Sequence, residues 1–226
     1  MATETTTVSA TSERAGGPRF KDPVSGLTHL GGFAVGLVGV AWLFLHGAGD
    51  PATRLAMLVY GASLLALYAA SSVYHLRIAD EETTRRLRLL DHSAIFLYVA
   101  GSATPLFLRG LGGSTRVSML AGIWAVAVLG IALKLTWRSA PRLVYTGMYV
   151  AMGWGAALQW PALSSTLPPL ATACVVAGGV VYTLGALVYA SKRPDPFPKV
   201  FGFHEIWHLF VLGGSALHFA AIAVIV

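Results

Sequence analysis

Two histidines four residues apart on a helix stand on one face, about one turn from each other, so their imidazoles can turn toward a single cation. His204-Glu205-Ile206-Trp207-His208 has that spacing, and the chain continues apolar from Leu209 to Val226. The pair is therefore expected at the end of a membrane-spanning helix, where ionisable groups are costly and usually functional. By itself it is half of a metal site. The partners that would complete it are His75, which ends an earlier apolar segment, Ser71 one turn before it, and Asp91 near the start of the following segment. Three neutral imidazole nitrogens are the ligand number of catalytic zinc sites that keep one position open. An acidic group such as Asp91 can then orient a ligating imidazole or accept a proton, and Ser71 shares the helix face of His75.

The chain must supply elements that bring these residues to one depth. Of its 226 residues 55% are hydrophobic and 12% charged, with mean hydropathy +0.66, far from the roughly 25% charged content of soluble domains. This composition predicts an all-α integral membrane protein. Seven apolar segments follow one another near Leu27–Leu45, Arg54–Leu76, Leu90–Leu108, Val117–Leu135, Leu143–Trp160, Leu170–Ala190 and His204–Val226. Each approaches the ~20 residues that a bilayer core requires. The expected architecture is one seven-transmembrane-helix bundle over residues 23–226, behind a disordered polar tail at 1–22. The tail is rich in Thr, Ser and Glu and is not read as a signal peptide. The single Cys174 excludes an intrachain disulfide.

Orientation is read from the basic residues. All but three of the 16 Lys and Arg fall in the tail and the second–third, fourth–fifth and sixth–seventh connections, leaving Arg54, Arg109 and Arg116 on the other side. The positive-inside rule then places the N-terminus in the cytoplasm and the C-terminus outside, in the inner membrane. The net charge of +6 is thus a matter of orientation, and no nucleic-acid partner is inferred. With this topology His75, Asp91, His204 and His208 all lie at the cytoplasmic level. Pro105, inside the third segment, is expected to kink that helix.

Simpler roles exist for the same residues. His75 at a helix C-terminus would interact favourably with the helix dipole, and Asp91 could be a helix N-cap. Glu205 reads as a first-turn charge, about 100° round the helix from His204. His218 is ~15 Å further along the helix than His208, too far to join the same ion, and reads as a hydrogen-bonded interior residue. His46 reads as interfacial, His29 as a cavity-lining residue, and His92 as packing around the site. Trp42, Trp137, Tyr145 and Trp160 read as interface anchors.

Ser71-x-x-x-His75, Leu90-Asp91-His92-Ser93-Ala94-Ile95, Gly101-x-x-Thr104-Pro105, Met152-Gly153-Trp154 and the run His204–Ala216 together resemble the bacterial hemolysin III family. That family is the prokaryotic branch of the progestin and adipoQ receptors and is distantly similar to alkaline ceramidases. The resemblance implies a seven-helix bundle with zinc near the cytoplasmic face, held by His75, His204 and His208. It also implies that Asp91 stands by the metal's open position with Ser71 near it. Three functions remain open at this point. One is a zinc-dependent hydrolase of a membrane lipid or fatty-acyl ligand. Another is a non-catalytic regulator of membrane lipid homeostasis with structural zinc. The third is the haemolytic, pore-forming activity of the family name, for which the chain shows no amphipathic inserting segment.

Overall fold

The computed structural model describes residues 20–47, 49–137, 139–198 and 200–226. The expected polar tail up to Arg19, and the loop charges Arg14, Arg19, Arg138 and Lys199, lie outside the described residues. The described chain is all-helical. Its elements are α1 (Pro23–His46), α2 (Pro51–Leu76), α3 (Glu81–Gly110), α4 (Gly113–Thr136), α5 (Arg142–Gly153), α6 (Trp160–Thr166), α7 (Pro169–Ser191) and α8 (Phe203–Ile225), with a 3-10 stretch, Trp154–Gln159, between α5 and α6.

Local sequence explains the starts. Asp50-Pro51 opens α2, where the Asp50 carboxylate accepts from the Thr53 backbone N–H at 2.9 Å. Asp80 does the same for α3 through Thr83 N–H at 2.8 Å, which holds its carboxyl below the usual carboxylate range. Pro-Pro at 168–169 starts α7, and proline fits the first turn because no helical acceptor waits for its missing N–H.

Two expected segments differ. The third helix begins at Glu81, nine residues before the expected Leu90, because the Asp80 cap and the first-turn Glu81 and Glu82 favour a helix start ahead of the apolar run. Asp91 is thereby eleven residues into α3 and cannot be its N-cap. The fifth segment is broken into α5, the 3-10 stretch and α6, with Pro161 in the first turn of α6. The helix α3 is continuous through Pro105.

Neighbouring helices pack in chain order, α1 on α2, α2 on α3 and α3 on α4, while α5 packs on α7, α7 on α8, and α8 returns to α1. Within this ring α3 also touches α5, α6 and α8. Its Phe96 and Phe107, with Tyr60 of α2, are among the most buried large side chains. The outer helices face the other way. Val35 and Leu45 of α1 are 74% and 78% exposed, and so much apolar surface is compatible with lipid rather than with water. Five helices, α1, α2, α4, α7 and α8, are long and apolar enough to cross a bilayer. The protein is therefore a multi-pass membrane protein.

Close helix approach depends on small residues. A Cβ on Gly101 of α3 would fall on the Ser63 hydroxyl of α2 and lie 3.3 Å from the Val59 carbonyl oxygen. Gly101→Val is expected to cost about 1–3 kcal/mol by overpacking. It should lower the thermal midpoint of the detergent-solubilised protein by several degrees, and an unchanged midpoint would show that α2 and α3 do not meet there.

Candidate metal centre

His75 is the penultimate residue of α2, and His204 and His208 occupy the first two turns of α8. Because α8 packs on α1 and α1 on α2, these ends are brought together. The three imidazoles each offer one nitrogen within 4.8 Å of the others. The Nε2 atoms of His204 and His75 are 3.3 Å apart, and those of His208 and His204 are 3.2 Å apart. Ligand nitrogens at 2.0–2.1 Å from a tetrahedral zinc are separated by ~3.3 Å. The spacing fits the ion.

Protonation points the same way. His75 Nδ1 lies 3.1 Å from Asp22 Oδ2, so Nδ1–H donates to the carboxylate and Nε2 presents its lone pair to the cluster. His204 Nε2, between the other two, carries at most one proton when neutral and cannot satisfy both neighbours. A cation satisfies all three. His75 and His208 are 2% and 3% exposed, so lone pairs left unpaired there would be costly.

Asp22 was not singled out from the sequence, since it falls at the edge of the stretch read as a polar tail. Its signal was Asp22-Pro23, an acidic residue before proline, which marks the start of α1. The backbone N–H of Asp22 also donates to the His75 carbonyl at 2.8 Å. Lys21 reaches the Tyr74 carbonyl at 3.4 Å and lies over the Tyr74 ring. The start of α1 thus clamps the end of α2, and His75 has a specific partner beyond the helix dipole.

A cavity of about 670 Å³ opens beside the cluster, within the range of small-molecule sites. His204, His208, Ser71 and Asp91 line it, and its deeper wall is apolar, with Ile95, Val99 and Phe107 among its residues. Asp91 and Ser71 are both buried, and both line this cavity. All five residues singled out from the sequence therefore meet in one region, although His75 sits behind the cavity wall rather than on it.

The remaining histidines sort by contact. His29 does line the cavity, with its ring 4.1 Å from that of His208. His92 lines it too, Nε2 3.9 Å from Asp91 Oδ2, and its carbonyl accepts from Tyr149. His218 differs from expectation. Its nitrogens have no hydrogen-bond partner among the described residues, and its ring packs edge-on against Tyr182 on the cavity wall. His46 stacks on Trp42. Glu205 stays outside the cluster, accepting from the Gly202 N–H and the Ser25 hydroxyl, which ties α8 to α1. Tyr145 is not an interface anchor. It is buried, and its hydroxyl donates to the Trp137 carbonyl at 2.7 Å, just past the end of α4, where carbonyls lack intrahelical partners.

Comparison with known proteins places the chain among relatives over most of its length. The family model described as haemolysin-III related matches residues 19–219. Hemolysin-3 of Bacillus cereus is 34% identical over 195 residues, covering 85% of this chain and 86% of that protein. The human monocyte to macrophage differentiation factor is 30% identical over 184 residues, 79% of this chain and 74% of its own length. A rice protein named heptahelical transmembrane protein ADIPOR2 is 27% identical, with 79% and 85% coverage.

Proposed function

The chain belongs to the haemolysin-III-related family, and from that premise we propose that it is a zinc-dependent hydrolase of an amide or ester bond in an acyl lipid. The observation that supports this is the convergence of three imidazole Nε2 atoms beside a cavity that Asp91 and Ser71 also line. His75, His204 and His208 are the proposed zinc ligands.

In the proposed topology α3 and the broken α5–α6 segment cross the bilayer with the five apolar helices, giving seven spans, as the rice relative's name has it. At 30 residues, α3 is about 45 Å long, enough to span and still extend its charged first turns beyond the core. The basic bias of the connections puts the N-terminus and the histidine cluster on the cytoplasmic side of the inner membrane. Residues 23–226 form the single domain of this reading.

Zinc at the three imidazoles supplies a Lewis acid for the lipid carbonyl and lowers the pKa of an attacking water toward neutrality. The chain does the rest. Ser71, on the same cavity wall, steadies the water or the developing oxyanion. Asp91 takes a proton from the water as its oxygen adds to the carbonyl carbon, and returns it to the leaving amine or alcohol as the C–N or C–O bond breaks. The apolar wall holds the acyl chain. Release of fatty acid from a panel of ceramides and phospholipids by the purified zinc-loaded protein tests this reading, and no release from any of them rejects it.

A second reading is favoured by the Asp22 clamp, which joins α1 to α2 at the cluster, together with the Ser25–Glu205 bond that ties α8 to α1. Here the metal is structural, and the protein regulates membrane lipid homeostasis without turnover. Chelation would then lower the melting temperature, while no lipid would be cleaved. Under either reading Asp22→Ala is expected to weaken zinc affinity by roughly 10–100-fold, because the carboxylate orients His75 from outside the ligand set. Competition with a zinc indicator measures it, and wild-type affinity would separate Asp22 from the metal.

A further inference from the structure

The mouth of the cavity is basic. Arg88 of α3, Lys134 of α4 and Arg142 of α5 all line it, although basic residues that merely set orientation would be expected to face the lipid headgroups outside the bundle. Arg85 and Arg86 show that arrangement. They are 57% and 75% exposed, pair with Glu82 and are not part of the cavity wall. Arg88, three residues after Arg85 on the same helix face, is also exposed but reaches the cavity wall.

The three cations are held in place mainly by aromatic rings and neutral oxygens. Arg88 Nε donates to the Tyr74 hydroxyl at 3.1 Å. Arg142 donates to the Tyr189 carbonyl at 3.0 Å and lies 4.9 Å from the centre of that ring. Lys134 Nζ is 3.8 Å from the centre of the Tyr145 ring. Among the described residues no carboxylate lies within 4.0 Å of any of them. Lys134 feels Arg88 as a like charge and Asp91 as the opposing one. Of the three cations only Lys134 has an anion among the described residues in its field, Asp91, and most of their N–H donors remain available.

Such a cluster of two guanidinium forks and an ammonium matches the oxygens of a phosphate. Arg88 precedes Asp91 by three residues on the same helix, about 4.5 Å along its axis. A phosphate at Arg88 is therefore roughly one helical turn from the group proposed to act on the scissile carbonyl, a separation that a glycerol unit spans.

We propose that Arg88, Lys134 and Arg142 hold the phosphate of a single-chain phospholipid whose acyl chain fills the cavity. The inference rests on the cavity being an acyl-lipid site and names the substrate class. It is tested by binding alone, so that its failure is distinct from failure of the hydrolase reading. Full-length protein in neutral detergent is titrated with palmitoyl-lysophosphatidylglycerol, monopalmitoylglycerol, palmitate and inorganic phosphate, following intrinsic tryptophan fluorescence with native mass spectrometry as a check. The lysophospholipid is expected to bind about tenfold tighter than the neutral glyceride.

That preference should vanish in Lys134→Gln/Arg142→Gln and persist in Lys134→Arg/Arg142→Lys. It should also persist in Arg85→Gln/Arg86→Gln, which removes the same charge outside the cavity. Zinc content should match wild type in all three, which guards against misfolding. Equal affinity for the two glycerides overturns the proposal, as does a preference that survives the first double variant or is lost in the Arg85/Arg86 control. Palmitate binding as tightly as the lysophospholipid would assign the cations to a carboxylate instead, and competition by inorganic phosphate at equal concentration would assign them to a free anion. Either outcome rejects the phospholipid.

Discussion

Purified wild-type protein is expected to contain about one zinc per chain, and His208→Ala close to none. Among the described residues three imidazoles make up the proposed ligand set, with nitrogens within 4.8 Å of one another, so removing one leaves two ligands and an exposed coordination edge. His208 is the sharpest choice because it is buried and follows His204 by one turn of α8. Its loss changes the metal site without disturbing the Asp22 clamp on His75. Elemental analysis of protein purified without added chelator reads the stoichiometry. Its thermal midpoint should fall with the metal, because an ion bound only by the folded state stabilises it by mass action. Equal zinc in the variant and the wild type would dissolve the proposed site.

Asp91→Asn is expected to keep the zinc and lose the chemistry. The amide is nearly the shape of the carboxylate, but it cannot take a proton from water. A positioned general base contributes about 10²–10⁴-fold, so the rate of fatty-acid release should fall by that factor while zinc content stays unchanged. Asp91 is buried in the middle of α3 rather than at its start, which makes a purely capping role unavailable to it. Full activity in Asp91→Asn would remove it from the mechanism. Absence of any activity in the wild type would leave the structural-zinc reading.

Several features were legible in the sequence because they depend on neighbours along the chain. Four-residue spacing puts His204 and His208 on one face of whatever helix contains them, and the same holds for Ser71 and His75. Apolar run lengths gave the helices α1, α2, α4, α7 and α8, whose composition suits the bilayer throughout. Where composition and local structure separate, the reading slipped. The Asp80 cap extends α3 into a charged stretch that hydropathy treats as loop, and Tyr145, aromatic and near a segment end, turns inward to satisfy a helix-end carbonyl.

The sequence alone thus determined that the chain is helical, membrane-embedded and equipped with histidines in metal-ligand spacing, since periodicity and hydropathy are properties of a single helix and its solvent. Only the tertiary structure decided that α1 carries Asp22 to His75, and that Arg88, Lys134 and Arg142 line a shared cavity while Arg85 and Arg86 do not. Those outcomes depend on the rotation of each helix about its own axis against its neighbours. Packing between distant segments fixes that rotation, and no local pattern encodes it.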